Sequence, residues 1–82
     1  MKYFVYILYS FKREKYYVGQ TENISKRLDR HNLGHVKSTK SGIPWKLIWK
    51  IELESRSKAL LLEKKIKKRG AKRYLEDNQF GV

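Results

Sequence analysis

Five side chains in this sequence have the types and the spacing to cut a phosphodiester. Tyr6 lies in one strand-like run; Tyr17 lies in a second, directly before Val18 and Gly19. Arg27 comes eight residues after that glycine and His31 four after Arg27. Glu63 lies far downstream and is the only acid between Arg56 and Arg73, among nine lysines and arginines. A guanidinium can clamp a phosphate through two parallel hydrogen bonds, and an imidazole can pass a proton near neutral pH. A lone carboxylate can hold Mg²⁺ together with waters and substrate phosphate. A tyrosine is a poor base at its ordinary pKa of ~10, and neighbouring cations such as Arg27 are expected to lower it.

Each residue also has an ordinary explanation. At about 100° per residue, Ala59, Leu62 and Ile66 form one helical stripe and Glu63 lies about 40° from Ala59. The acid therefore belongs at the edge of a buried face, either in an inward ion pair with a lysine or arginine or on a metal ion. Arg27 and His31, four apart, share one side of a helix next to the Ile24 and Leu28 stripe. They read as a surface arginine over a sheet and a satisfied edge histidine, or as a phosphate clamp and a proton carrier. Tyr3, Tyr6, Tyr9, Tyr16 and Tyr17 are ordinary strand material taken singly. Gly19 leaves room for a close approach of backbone or ligand near Tyr17.

The elements that must position these groups can be read off the chain. Tyr3–Ser10 is aromatic and β-branched on both faces, as a strand buried on both sides would be. Residues 11–15 form a turn and 16–20 the returning antiparallel strand. Thr21 or Asn23 caps a helix reaching Arg30 or Asn32, and Gly34 ends it. Residues 35–44 read as a flexible loop rich in Ser, Thr, Lys and Gly. Trp45–Leu53 alternates: Trp45, Leu47, Trp49, Ile51 and Leu53 are expected on one face, with both tryptophans in the core. Ser55 or Ser57 caps a second helix to about Arg69, Gly70 stops it, 71–77 is a short third helix and 78–82 a tail. The order β-β-α-β-α-α predicts an α+β fold, a three-stranded antiparallel sheet flanked by helices.

The 82 residues are expected to form a single domain, with a core over about 3–78. Twenty basic residues against eight acidic give a net charge of +12. That charge repels itself and asks for a polyanionic partner. With no cysteine there is no disulfide and no thiolate metal site. No run of 18 apolar residues spans a membrane, no signal peptide is evident, and a cytoplasmic protein is expected. The basic helix at 57–69 also has the make-up of a membrane-surface or acidic-partner helix, although its apolar side is needed for the core.

Together these residues resemble the GIY-YIG nuclease family, over about residues 3–78. Val5-Tyr6-Ile7 is similar to the first tyrosine motif, with valine in place of glycine. Tyr17-Val18-Gly19 is similar to the second, with valine in place of isoleucine. Arg27 and His31 match the first helix, and Glu63 matches the single metal-binding glutamate. Gln20 stands where some relatives carry a basic residue, and Asn78 is the candidate for the family's late asparagine. The resemblance implies metal-assisted hydrolysis of DNA, in repair or recombination. Tyr6 or Tyr17 would deprotonate or orient water. Glu63 would hold one Mg²⁺ or Mn²⁺, Arg27 would stabilise the phosphate, and His31 would support the tyrosine or the water. Gly19, Gln20, Lys26, Lys37, Lys40 and Lys67 are expected to meet the nucleic acid, mostly through its backbone. The alternative is a non-catalytic nucleic-acid-binding module on the same fold. With no length left for a targeting domain, choice among branched or damaged substrates is expected from the surface, a homodimer or a protein partner.

Overall fold

A computed structural model describes residues 2–78. Of the tail expected at 78–82, all but Asn78 lies outside the described residues. Tyr3–Ser10 forms β1, Lys15–Thr21 β2 and Trp45–Leu53 β3. The strands are antiparallel in the order β2-β1-β3, so the strand that is apolar on both faces takes the centre. Ile24–Asn32 forms α1, Arg56–Arg69 α2 and Ala71–Asp77 α3. This is the expected architecture and order.

Local chemistry sets the helix ends. The Asn23 side chain accepts the Lys26 N–H at 3.0 Å and starts α1. Ser55 accepts the Lys58 N–H at 3.2 Å and starts α2. Gly70, at φ +95°, makes the break between α2 and α3, in a backbone region that side chains rarely adopt.

The sheet is covered on both faces. Val5, Ile7 and Val18 pack against Ala59 and Ile66 of α2 and Ala71 and Leu75 of α3. On the other face Tyr6, Leu8 and Trp45 pack with Tyr17, Leu47, Ile43, and Ile24 and Leu28 of α1.

Two expectations fail here. The first is the single apolar face of β3. Ile7 pairs with Trp49 but Leu8 pairs with Leu47, so Ile48 is an extra residue in the ladder. This bulge reverses the alternation. Trp45 and Leu47 face α1, whereas Trp49 and Leu53 face α2 and α3. The second is the flexible loop at 35–44. Lys37–Gly42 is a short 3-10 helix in which Thr39 and Gly42 are buried. The Trp45 indole N–H donates to Thr39 O at 2.7 Å, and Ser10 Oγ donates to Gly42 O at 2.6 Å. Backbone hydrogen bonds to β1 and β3 side chains thus replace the apolar periodicity that the segment lacks.

Truncating Ile66, fully buried beneath α2, is expected to cost about 3 kcal/mol in Ile66→Ala. Leu61, 70% exposed on the same helix, should change stability by less than about 0.5 kcal/mol in Leu61→Ala. Urea unfolding of the two variants checks the layer assignment.

Candidate active site

The site is built on the α1 face of the sheet. β1 presents Tyr6 and β2 presents Tyr17 on the same side, with ring centroids 6.3 Å apart. Gly19 is the register partner of Tyr6, and a Cβ there would come within 2.6 Å of the Tyr6 oxygen. The glycine is therefore a requirement of the Tyr6 ring. The reading of Gly19 as a point of close approach holds, and what approaches is the tyrosine itself.

α1 brings His31 onto these rings. Its side chain is fully buried, with Nε2 3.1 Å from the Tyr6 hydroxyl and Nδ1 2.8 Å from Thr39 Oγ1. The direction of these bonds follows from their ends. Thr39 Oγ1 lies 3.3 Å from Val36 O, which can only accept, so the threonine proton goes there. Thr39 then accepts Nδ1–H. Burial, with the Arg27 and Arg30 charges behind it, pulls the His31 pKa down to about 4, so the ring is neutral at pH 7. Its bare Nε2 must accept the proton of Tyr6.

The expectation that cations lower the tyrosine pKa fails at Tyr6. Burial raises it, and this outweighs the opposing pull of Arg27 beside the hydroxyl. Tyr17 adds to the rise, and so does Glu63. Tyr6 is thus a neutral phenol at rest, and a neighbouring imidazole is the group placed to receive its proton.

Arg27 lies against both tyrosines, and its contact with Tyr6 is the main cause of its raised pKa. Its Nε is buried and has no hydrogen-bond partner among the described residues. An N–H left this way asks for an acceptor. A cleft of about 350 Å³ opens beside it, lined by Thr21, Glu22, Asn23, Lys26, Arg27 and Arg30. Three cations against the single carboxylate of Glu22 leave the cleft net positive, as an anion site would be.

Glu63 stands on α2, whose helix packs on β1 and β2 from the face opposite α1. Its carboxylate is 16% exposed and its field acts on the Tyr6 hydroxyl. The ion pair weighed in the sequence is present: Lys67 Nζ lies 2.7 Å from Glu63 Oε2, one turn along the helix. The described residues hold no cluster of three or more His, Asp or Glu side chains fit for a metal. The donor set that remains is one carboxylate that already carries a cation, the ammonium of Lys67. This fits an ion held by a single carboxylate, waters and phosphate, as Mg²⁺ often is.

The other expected contact residues are spread more widely. Lys26 borders the anion cleft. Lys37 and Lys40 are exposed on the 3-10 helix that carries Thr39. Lys67 has its ammonium on Glu63. Gln20 pairs with Val5, on the face opposite Tyr17. Asn78 ends α3, donating its side-chain amide to Tyr74 O at 2.8 Å.

Sequence reasoning missed Thr39 and Asn32. Asn32 clamps the Trp45 backbone, accepting its N–H at 2.6 Å and donating to its carbonyl at 3.1 Å. Trp45 in turn holds Thr39 O, and Thr39 holds His31. Nothing in the sequence separates Thr39 from Ser38 or Ser41.

The sequence matches the GIY-YIG catalytic domain profile over residues 2–75. The chain belongs to the GIY-YIG family, a family of nuclease domains. Its fold is similar to that of the UPF0213 protein BH0048 from Bacillus halodurans, solved by solution NMR. That likeness has a TM-score of 0.59 at 25% identity and covers 96% of this chain and 84% of that one. No curated protein sequence matches.

Two predictions follow from the buried triad of Tyr6, His31 and Thr39. As pH falls from about 6.5 toward 4, the unfolded chain protonates His31 while the folded chain does not. Stability should therefore drop across that window, by on the order of 3 kcal/mol from this group. The difference in urea midpoint between wild type and His31→Gln, measured from pH 7 to 4, reads that contribution alone. Gly19→Ala should cost about 1–3 kcal/mol, because the new methyl drives the Tyr6 ring from its place; thermal unfolding checks it.

Proposed function

We propose that this protein is a divalent-metal-dependent endonuclease that hydrolyses phosphodiester bonds in DNA. The observation that carries this reading is the neutral imidazole of His31 on the Tyr6 hydroxyl, beside an arginine Nε with no partner among the described residues.

Tyr6 takes a proton from the attacking water while its own passes to His31 Nε2. Nδ1–H stays on Thr39, which keeps the ring in place as it becomes charged. Tyr17 orients the water. Arg27 meets the phosphate from the cleft side and stabilises the charge that builds on its oxygens, a contribution commonly worth ~3–4 kcal/mol. Glu63, released from Lys67, is the residue that would hold one Mg²⁺ or Mn²⁺. Such an ion, when bound, polarises the phosphate and eases departure of the leaving oxygen.

Lys26, Lys37 and Lys40 supply backbone contacts with strong salt dependence and little sequence choice. Lys67 joins them once it leaves Glu63, while Gly19 acts by making room for the Tyr6 ring and Gln20 lies on the face of β2 opposite Tyr17. Branched or damaged DNA in the cytoplasm, met in repair or recombination, is the substrate this reading favours, with a homodimer or protein partner adding selectivity. No helix among the described residues is long and apolar enough to cross a membrane.

Incubation with branched, nicked and single-stranded DNA, in Mg²⁺ or in EDTA, tests the reading. Cleavage is expected only with the metal. Tyr6→Phe and Glu63→Gln should each lose about 100-fold or more in rate, with DNA binding in EDTA kept within about two-fold. Wild-type cleavage by Glu63→Gln would reject its metal role. DNA binding with no cleavage of any substrate would select the non-catalytic binding module.

A further inference from the structure

The hairpin that carries both catalytic tyrosines ends in an aromatic group that neither the core nor the site uses. Tyr9 is flanked by Phe11 and Tyr16, each with its ring centroid 4.8 Å away. None of the three belongs to either core cluster. Phe11 is 70% exposed and Tyr16 37%. Phe11, left this open, loses most of the benefit of burial.

The surroundings say what suits it. Across the sheet Lys46, Tyr9 and Tyr16 form one row, since Tyr9 pairs with both. Lys12 and Lys15 stand exposed in and beside the turn. None of these three lysines makes an ion pair among the described residues. Open rings between unpaired ammonium groups match a strand whose bases stack and whose phosphates need countercharge. An apolar protein partner would have to bury those lysines unpaired.

We propose that Tyr9, Phe11 and Tyr16, with Lys12, Lys15 and Lys46, form a stacking platform for the unpaired bases of single-stranded DNA. It rests on the nucleic-acid part of the function proposed above and names the substrate more closely: DNA with an unpaired segment next to the cut. Tyr9 is three residues along β1 from Tyr6, about 10 Å at the rise of an extended chain, on the face of the sheet that Val5 and Ile7 share. A strand held there is within a few nucleotides of the scissile bond.

Binding of fluorescein-labelled oligothymidine and of a fully paired duplex, followed by anisotropy in EDTA so that nothing is cut, tests the platform. Phe11→Ala and Phe11→Leu should each weaken single-strand binding about ten-fold. Tyr16→Phe, which keeps the ring, should bind like wild type. Duplex affinity should change less than two-fold in all three. Phe11→Ala should leave the slope of log K against log salt unchanged, whereas Lys12→Ala with Lys15→Ala should flatten it. Equal losses on duplex and single strand, or full retention by Phe11→Leu, would overturn the platform and leave the nuclease reading standing. Failure of the wild type to bind either DNA would overturn both.

Discussion

The hydrogen bond from Tyr6 to His31 is the interaction on which the site depends, because neither group tolerates burial without it. A hydroxyl and an imidazole nitrogen removed from water each lose their solvent partners. Here they satisfy each other, and Thr39 satisfies the remaining ring nitrogen. The bond needs a missing Cβ at Gly19, a helix that ends near His31, and a 3-10 segment that delivers Thr39. Trp45 and Asn32 tie that segment and that helix to β3. Much of the α1 side of the molecule is thus committed to holding one proton in one place.

Electrostatics then divides the labour between the two layers. Burial keeps Tyr6 protonated, and burial, with the charges of Arg27 and Arg30 added, keeps His31 neutral. The proton, which ordinary values of ~10 and ~6.5 already leave on the phenol, is thus held on Tyr6 more firmly still. The field that would reverse this has to come from outside, as a phosphate against Arg27 or a cation against Glu63. An anion at Arg27 offsets the positive charge that depresses the His31 pKa, so filling the cleft makes the imidazole a better acceptor. In the mechanism proposed, a chain with a net charge of +12 would thereby couple attraction for a polyanion to the readiness of its base.

How much of this was legible in the sequence depends on what carried the signal. β1, β3 and the helix ends were legible, because two-faced apolar runs, Asn23, Ser55 and Gly70 act locally. Tyr6, Tyr17, Arg27 and His31 could be grouped because strand pairing and helical spacing bring them together. The extra residue at Ile48 was not legible: Trp45–Leu53 alternates cleanly in sequence, and only pairing with β1 turns Trp49 away from Trp45. The 3-10 helix was hidden for a related reason, since its order comes from hydrogen bonds to Ser10 and Trp45. The direction of the Tyr6 pKa was missed because burial, which opposes Arg27, is a property of the packed fold.

The bulge has a mechanical meaning. Without it both tryptophans would face the same layer, and one cluster would lose its largest side chain. With it Trp45 closes the α1 side over Tyr17 at 6.3 Å, and Trp49 closes the other over Tyr74 at 5.5 Å. Each layer of this small protein thus receives one large anchor from a single edge strand. The α2 and α3 layer is chiefly apolar packing, whereas the α1 layer holds buried polar groups. Glu63 crosses this division: it stands on the packing helix and its field acts on Tyr6. Its position relative to Tyr6 is therefore set by how Ala59 and Ile66 seat α2 on the sheet, so core packing and the geometry of the site cannot vary independently.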